Sequence, residues 1–146
     1  FQIPNFKDRV LLFSEITQEN AAGARVLIVD GIGYLSHLYQ YATIAYIGGG
    51  FGVGIHNILE AATYGLPVFF GPVYRNFIEA EELVSLGGAC PVDGSEDLLS
   101  TIRQQLDNKD LLKTTSETAA NYVTQRLGAT SKIVEYLCKN SPAKVP

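Results

Sequence analysis

The chain has 146 residues, a formal net charge of −4 and an apolar fraction of 47%. These values are typical of one folded domain with a hydrophobic core, and they exclude a disordered chain. The acidic balance, with a pI near 5.1, argues against binding to nucleic acid or anionic lipid, because both need a basic surface. No apolar run is long enough for a transmembrane helix, and no basic leader with an apolar segment indicates a signal peptide.

Residue usage predicts a piece of a larger protein from a reducing compartment. The chain contains no methionine and begins at Phe1, so we expect a fragment or a processed chain. Its two cysteines, Cys90 and Cys138, and its two histidines, His37 and His56, match no zinc spacing. We therefore expect no metal site, two buried free thiols and a soluble, cytoplasmic chain.

Apolar runs and helical spacings alternate from Val26 to Leu106, which predicts βαβ units and a parallel sheet flanked by helices. The predicted strands are 10–14, 26–29, 44–47, 68–70 and 89–92. The predicted helices are 33–42, 57–64, 76–86, 95–106 with Ser95 as its cap, 108–126 and 129–139, and 18–23 is a predicted loop. We expect a single domain over 1–140 and a frayed tail at 141–146.

Glycines cluster after two of the predicted strands. Seven of the 14 lie between Gly31 and Gly54, at carboxyl ends of strands, where open α/β sheets bind ligands. Exposed backbone N–H groups there suit an anion, although tight strand-to-helix turns alone also explain the glycines. Neither G-x-G-x-x-G nor Gly-Lys-Ser/Thr can be placed on residues 48–54, so the spacing excludes a dinucleotide fingerprint and a Walker A loop.

Polar residues follow these glycines. His56 can donate to a phosphate, or it is an ordinary loop histidine. Asn57 and Glu60 have the spacing of a capping box, and the Glu60 carboxylate can also accept hydrogen bonds from two hydroxyls, as in a ribose. Asn76 and Glu79 repeat this spacing, and there we expect simple capping.

Two helix faces are also predicted. An apolar stripe on the last helix docks on another domain of a longer protein or drives self-association; it consists of Thr130, Ile133, Val134 and Leu137. A solvated acidic face is expected at Glu79, Glu81 and Glu82.

Five segments form a series along the chain: 29–35 (VDGIGYL), 45–50 (AYIGGG), 54–62 (GIHNILEAA), 65–68 (GLPV) and 70–77 (FGPVYRNF). In this order and spacing they resemble the C-terminal domain of the 3-deoxy-D-manno-octulosonic acid (Kdo) transferases, glycosyltransferase family 30. The resemblance implies a Rossmann-like parallel sheet flanked by helices, as the nucleotide-sugar-binding C-terminal half of a GT-B glycosyltransferase.

The resemblance also implies an activity, which is transfer of Kdo from the donor CMP-Kdo to a lipid A precursor in lipopolysaccharide biosynthesis, without a metal or other cofactor. In that family the catalytic base, a glutamate, and the membrane-binding face belong to an N-terminal domain. We therefore expect the parent protein at the cytoplasmic face of the bacterial inner membrane. We expect no catalytic residue in this chain, which should be inactive alone.

By position, the resemblance places donor contacts on Ile32, Gly33, Tyr34, Asn57, Ile58, Leu59 and Glu60, and the residues themselves add Gly49, Gly50, Gly54 and His56. The chain departs from the family at Tyr34, where a glutamate is usual, and at Ile58, where a proline is usual. The first change removes a carboxylate and the second a rigid helix start. Read from its residues alone, the chain fits a GT-B domain for a UDP- or GDP-sugar nearly as well, and a non-catalytic α/β interaction domain is the further alternative.

Overall fold

Parallel strand pairing organises the chain into two small sheets. A computed structural model describes residues 10–140. The chain divides into two units, Phe1–Tyr41 and Ala42–Pro146, and each contains one of the sheets.

The first unit is built on two parallel strands, β1 (Val10–Leu12) and β2 (Val26–Ile28), in which Val10 lies opposite Val26. Its helices are α1 (Gln18–Ala21) and α2 (Leu35–Leu38), and 3-10 turns occupy Phe13–Glu15 and Tyr39–Tyr41. Asp30, just after β2, accepts hydrogen bonds from the Ser14 N–H at 3.0 Å and the Ser14 hydroxyl at 2.5 Å. The hydroxyl bond and then the N–H bond hold the pKa of Asp30 below its usual range.

Two predictions for this unit are wrong. The predicted loop 18–23 contains α1, because Thr17 and Asn20 form a capping box, with bonds of 2.8 and 3.3 Å, that stabilises the first turn. The predicted helix 33–42 is shortened to a single α-helical turn followed by a 3-10 turn.

The second unit contains a three-stranded parallel sheet in the order β3 (Ala45–Ile47), β4 (Val68–Phe70), β5 (Ala89–Pro91), in which Ile47 lies opposite Phe70. Its helices are α3 (Leu59–Thr63), α4 (Ile78–Leu86), α5 (Ser95–Asp107), α6 (Lys109–Gln125) and α7 (Ala129–Asn140). The α/β fold class with parallel strands and flanking helices is confirmed, with the strands divided between two sheets.

The central strand β4 carries the core of the second unit. Val68, Phe69 and Phe70 are all 0% exposed. A strand that is apolar on both faces is typical of a parallel sheet covered on both sides. Helix α3 packs against α6, and Ala61 and Ala119 are fully buried on these helices. The carboxyl ends of the strands in the second unit are therefore supported by a closely packed core.

The structure corrects two predicted helix caps. Ser95 is the first residue of α5 rather than its cap; Gly94 takes the cap position, and the Asp97 carboxylate accepts the Asp93 N–H at 3.0 Å. Helix α4 begins at Ile78 and its cap residue makes no side-chain capping bond. Simple capping by Asn76 and Glu79 is therefore wrong.

Every residue of α7 is exposed, including the predicted apolar stripe, of which Ile133 is 58% exposed. Cys138 on this helix is exposed too, which corrects the expectation of two buried thiols. Cys90 is half-buried, and burial raises the pKa of its thiol. Within residues 10–140, every helix is too short or too polar to span a bilayer. The predicted tail at 141–146 lies outside the described residues, and the single domain over 1–140 stays a prediction.

The glycines after β3 and β4 give a test of the packing. A Cβ added to Gly50 would lie 2.6 Å from the Gly71 backbone nitrogen. We expect Gly50→Ala to force these backbones apart and to lower the free energy of unfolding by about 1–3 kcal/mol, measured by chemical denaturation. Gly52→Ala is the control, because its Cβ would meet only the Gly49 carbonyl oxygen at 3.5 Å. Equal stability of the two variants would contradict the prediction.

Candidate functional site

The glycine loop, residues 48–54, follows β3 and folds back on itself. The Gly54 N–H donates to the Gly49 carbonyl at 3.3 Å, and the His56 N–H donates to the Gly48 carbonyl at 3.2 Å. Gly49 has a φ of 91°, and a Cβ there would clash with the Gly54 carbonyl. The Gly54 N–H already donates within the loop and is therefore not available to an anion. Gly54 can contribute to a site because, without a side chain, it lets a ligand approach the backbone closely.

The glycine loop also packs against the segment that follows β4. A Cβ on Gly54 would lie 2.8 Å from the Phe77 ring. The Gly50 carbonyl accepts the Val73 N–H at 2.9 Å. These contacts hold together two loops at the carboxyl ends of neighbouring parallel strands, which is where such sheets bind ligands.

Exposed polar side chains follow the loop. The Asn57 amide donates to Glu60 Oε1 at 3.0 Å, and Asn57 Oδ1 accepts the Leu59 N–H at 3.0 Å. The predicted capping box does not form. Helix α3 begins at Leu59, with Ile58 as its cap residue. The Asn57 amide instead donates to the Glu60 side chain. As a result, the Glu60 carboxylate is oriented while it stays exposed.

Two cavities border this segment. The first, of about 160 Å³, lies between residues 55–59, Phe77 and Glu79. The second, of about 340 Å³, is lined by Leu59, Glu79, Tyr122, Val123, Arg126 and Leu127. Leu59 and Glu79 belong to both walls. Ile58 is 3% exposed, so its side chain belongs mainly to the core.

A hydrogen-bonded cluster on α4 and α6 lies beside the second cavity. Glu82 Oε2 accepts the Tyr122 hydroxyl at 2.6 Å and the Arg126 guanidinium at 2.8 Å, and Arg126 lies 3.7 Å from the centroid of the Tyr122 ring. The tyrosine hydrogen bond, helped by Arg126, holds the pKa of Glu82 below its usual range. Burial and then Glu82 raise the pKa of Tyr122 to about 12.

This cluster corrects the expected solvated acidic face. Glu82 and Glu79 are half-buried, and only Glu81 is exposed as predicted. Tyr122 lies 40 positions from Glu82 in the sequence. Local spacing contains no signal for such a pair.

The remaining predicted contacts, Ile32, Gly33 and Tyr34, belong to the first unit. Ile32 is fully exposed, and Gly33 has a φ of 90° with open space beside it. The Tyr34 ring packs on Phe13 with centroids 4.7 Å apart. The structure thus brings together the predicted site residues between 49 and 60 within the second unit, and the other three lie in a separate unit.

No protein-family model matches the chain, but curated Kdo transferases do. The 3-deoxy-D-manno-octulosonic acid transferase of Rickettsia typhi is 37% identical over 89 residues, which are 60% of this chain and 19% of that protein. That of Chlamydophila psittaci is 38% identical over 87 residues, 58% of this chain and 20% of that protein. That of Rickettsia bellii is 28% identical over 156 residues, 96% of this chain and 37% of that protein. The chain therefore spans only 19–37% of the length of these relatives.

A solved structure is similar in fold. The C-terminal CMP-Kdo binding domain of WaaA from Acinetobacter baumannii superposes with a TM-score of 0.69 at 21% identity, covering 82% of this chain and 63% of that chain. The chain is related to the Kdo transferases. The predicted resemblance is thereby confirmed in sequence, and the C-terminal GT-B fold is confirmed by the superposition.

In this chain, the cluster of Tyr122, Glu82 and Arg126 predicts a pH dependence of stability. The folded-state pKa of Tyr122 is raised from 10.0 to about 12. Its contribution to stability is therefore complete below about pH 10 and is lost as the pH rises towards about 12. Tyr122→Phe should destabilise the chain at neutral pH and lack this part of the alkaline loss.

Urea unfolding near pH 8 and near pH 11 measures both effects, with Tyr136→Phe on the exposed face of α7 as the control. The same alkaline loss in Tyr122→Phe as in the unmodified chain would contradict the prediction.

Proposed function

We propose that the chain is the donor-binding domain of a Kdo transferase and that it holds CMP-Kdo. Its relatives are Kdo transferases, and the similar solved structure is a CMP-Kdo binding domain. The observation that carries the proposal is the exposed Glu60 carboxylate, which Asn57 holds in place just after the glycine loop.

Glu60 is the proposed ribose ligand. Its Oε1 accepts the Asn57 amide at 3.0 Å, and acceptor capacity remains on both oxygens. The two hydroxyls of a ribose can donate to this carboxylate. Because Asn57 orients the side chain before the ligand arrives, binding loses less conformational entropy.

The glycine loop and His56 are the proposed phosphate and sugar-acid ligands. The N–H groups of Gly49 and Gly50 can donate to an anion, and the His56 ring, which lies against the loop, can do the same. Donors held in place around the departing CMP phosphate would stabilise the negative charge that develops on it. Ile32, Gly33 and Tyr34 are proposed to line the cytidine.

The rest of the reaction is assigned to the parts of a longer protein. In this proposal an N-terminal domain supplies the catalytic base, the site for the lipid A precursor and the contact with the inner membrane at its cytoplasmic face. The relatives are several times longer than the chain, which leaves room for such a domain.

Nucleotide titration tests the proposal. We expect CMP to bind, with chemical-shift changes at residues 49–60 in a nitrogen-15 NMR titration. Glu60→Ala should weaken CMP binding about tenfold or more, because charge-assisted hydrogen bonds are lost. Glu81→Ala, which removes an exposed glutamate of α4, is the charge-matched control.

The other nucleotides decide between the alternatives. Preference for UMP or GMP would indicate a GT-B domain for a different sugar donor. An absence of nucleotide binding would favour an interaction domain and contradict the proposal.

Catalysis by the chain alone gives a separate prediction. With CMP-Kdo and a lipid A precursor, the purified chain should release no CMP above the rate without protein, because the proposed base is absent. A chromatographic assay of released CMP measures this. Turnover by the chain would show that it contains the base and would overturn the assignment of chemistry to another domain.

A further inference from the structure

Glu79 is a half-buried carboxylate in the first turn of α4, on the wall shared by the two cavities. Within residues 10–140 it accepts no hydrogen bond, whereas Glu60 is bonded to Asn57 and Glu82 to Tyr122. A partly desolvated carboxylate without a hydrogen-bond donor is unfavourable. A ligand that brings hydroxyl groups would supply the missing donors.

The first cavity has the chemistry of a sugar site. Glu79 offers an acceptor, His56 a donor, and Ile55 and Phe77 an apolar wall. A pyranose presents hydroxyls at its edges and C–H groups on its faces, so it matches this set. The cavity of about 160 Å³ is below the roughly 300–1,000 Å³ typical of pockets for whole drug-sized ligands. It therefore suits one part of a ligand, such as a single sugar ring.

We infer that Glu79 determines specificity for the sugar of the donor by accepting hydrogen bonds from its hydroxyls, while His56 donates to its acid group. This inference rests on the proposed function. Glu79 repels an anion, so the acid group is directed towards His56 and the hydroxyls towards Glu79. The nucleotide is assigned to Glu60 and the glycine loop, which do not belong to the lining of the first cavity.

The test compares CMP with CMP-Kdo. Glu79→Gln keeps the size of the side chain and removes its charge. We expect its affinity for CMP to stay within about twofold and its affinity for CMP-Kdo to fall roughly tenfold, since hydrogen bonds to a charged acceptor are replaced by weaker ones. Glu81→Gln removes the same charge from an exposed position on the same helix and should leave both affinities unchanged.

A second variant guards against a folding defect. Glu79→Asp keeps the charge but shortens the side chain, and it should also lose affinity for CMP-Kdo and not for CMP. Equal losses for both ligands in a folded variant, or a loss for neither, would overturn the role of Glu79 and leave the proposed function standing. Failure of the unmodified chain to bind CMP would instead overturn the proposed function, and the role of Glu79 with it.

Discussion

The close approach of two backbones at the carboxyl ends of β3 and β4 is the constraint on which the candidate site depends. Gly50 and Gly71 have no Cβ, and a Cβ on either would lie 2.6 Å from the other's backbone. Their contact lets the glycine loop meet the segment leading to α4, so that His56, just after the loop, and Phe77, in that segment, line one cavity. Side chains in place of these glycines would separate the loops and open the cavity.

Neighbouring groups, rather than residue type, decide what each glutamate near this cavity can do. Glu82 accepts hydrogen bonds from Tyr122 and Arg126, and these bonds join α4 to α6. Glu60 has one donor, Asn57, which orients it but leaves it exposed. Glu79 is half-buried and has no donor among the described residues. Under the proposed function, ligand binding is therefore assigned to Glu60 and Glu79, whose hydrogen-bonding capacity is partly or wholly unused within residues 10–140.

The sequence predicted the parts of this arrangement that are local. Apolar runs such as 68–70 identify buried parallel strands because both faces must be apolar, and His56 and Glu60 are neighbours along the chain. Caps were less predictable: the same spacing accompanies a capping box at Thr17, a bond between two side chains at Asn57 and no capping bond at Asn76. The spacing does not fix where a helix starts. Glu79 and Tyr122 depend on how α4 and α6 pack, a long-range property that periodicity does not encode.

Under the proposed function, the packing beneath the site explains how binding and chemistry can belong to different domains. The loops follow the neighbouring strands β3 and β4, of which β4 is fully buried, and the Gly50 carbonyl joins them by accepting the Val73 N–H. A donor bound there would meet groups already in position, so its binding would need no second domain to organise them. The proposed reaction still needs a base and an acceptor, which the proposal assigns to another domain. Under the proposed function, the chain selects and holds the donor, and the chemistry begins when another domain closes over it.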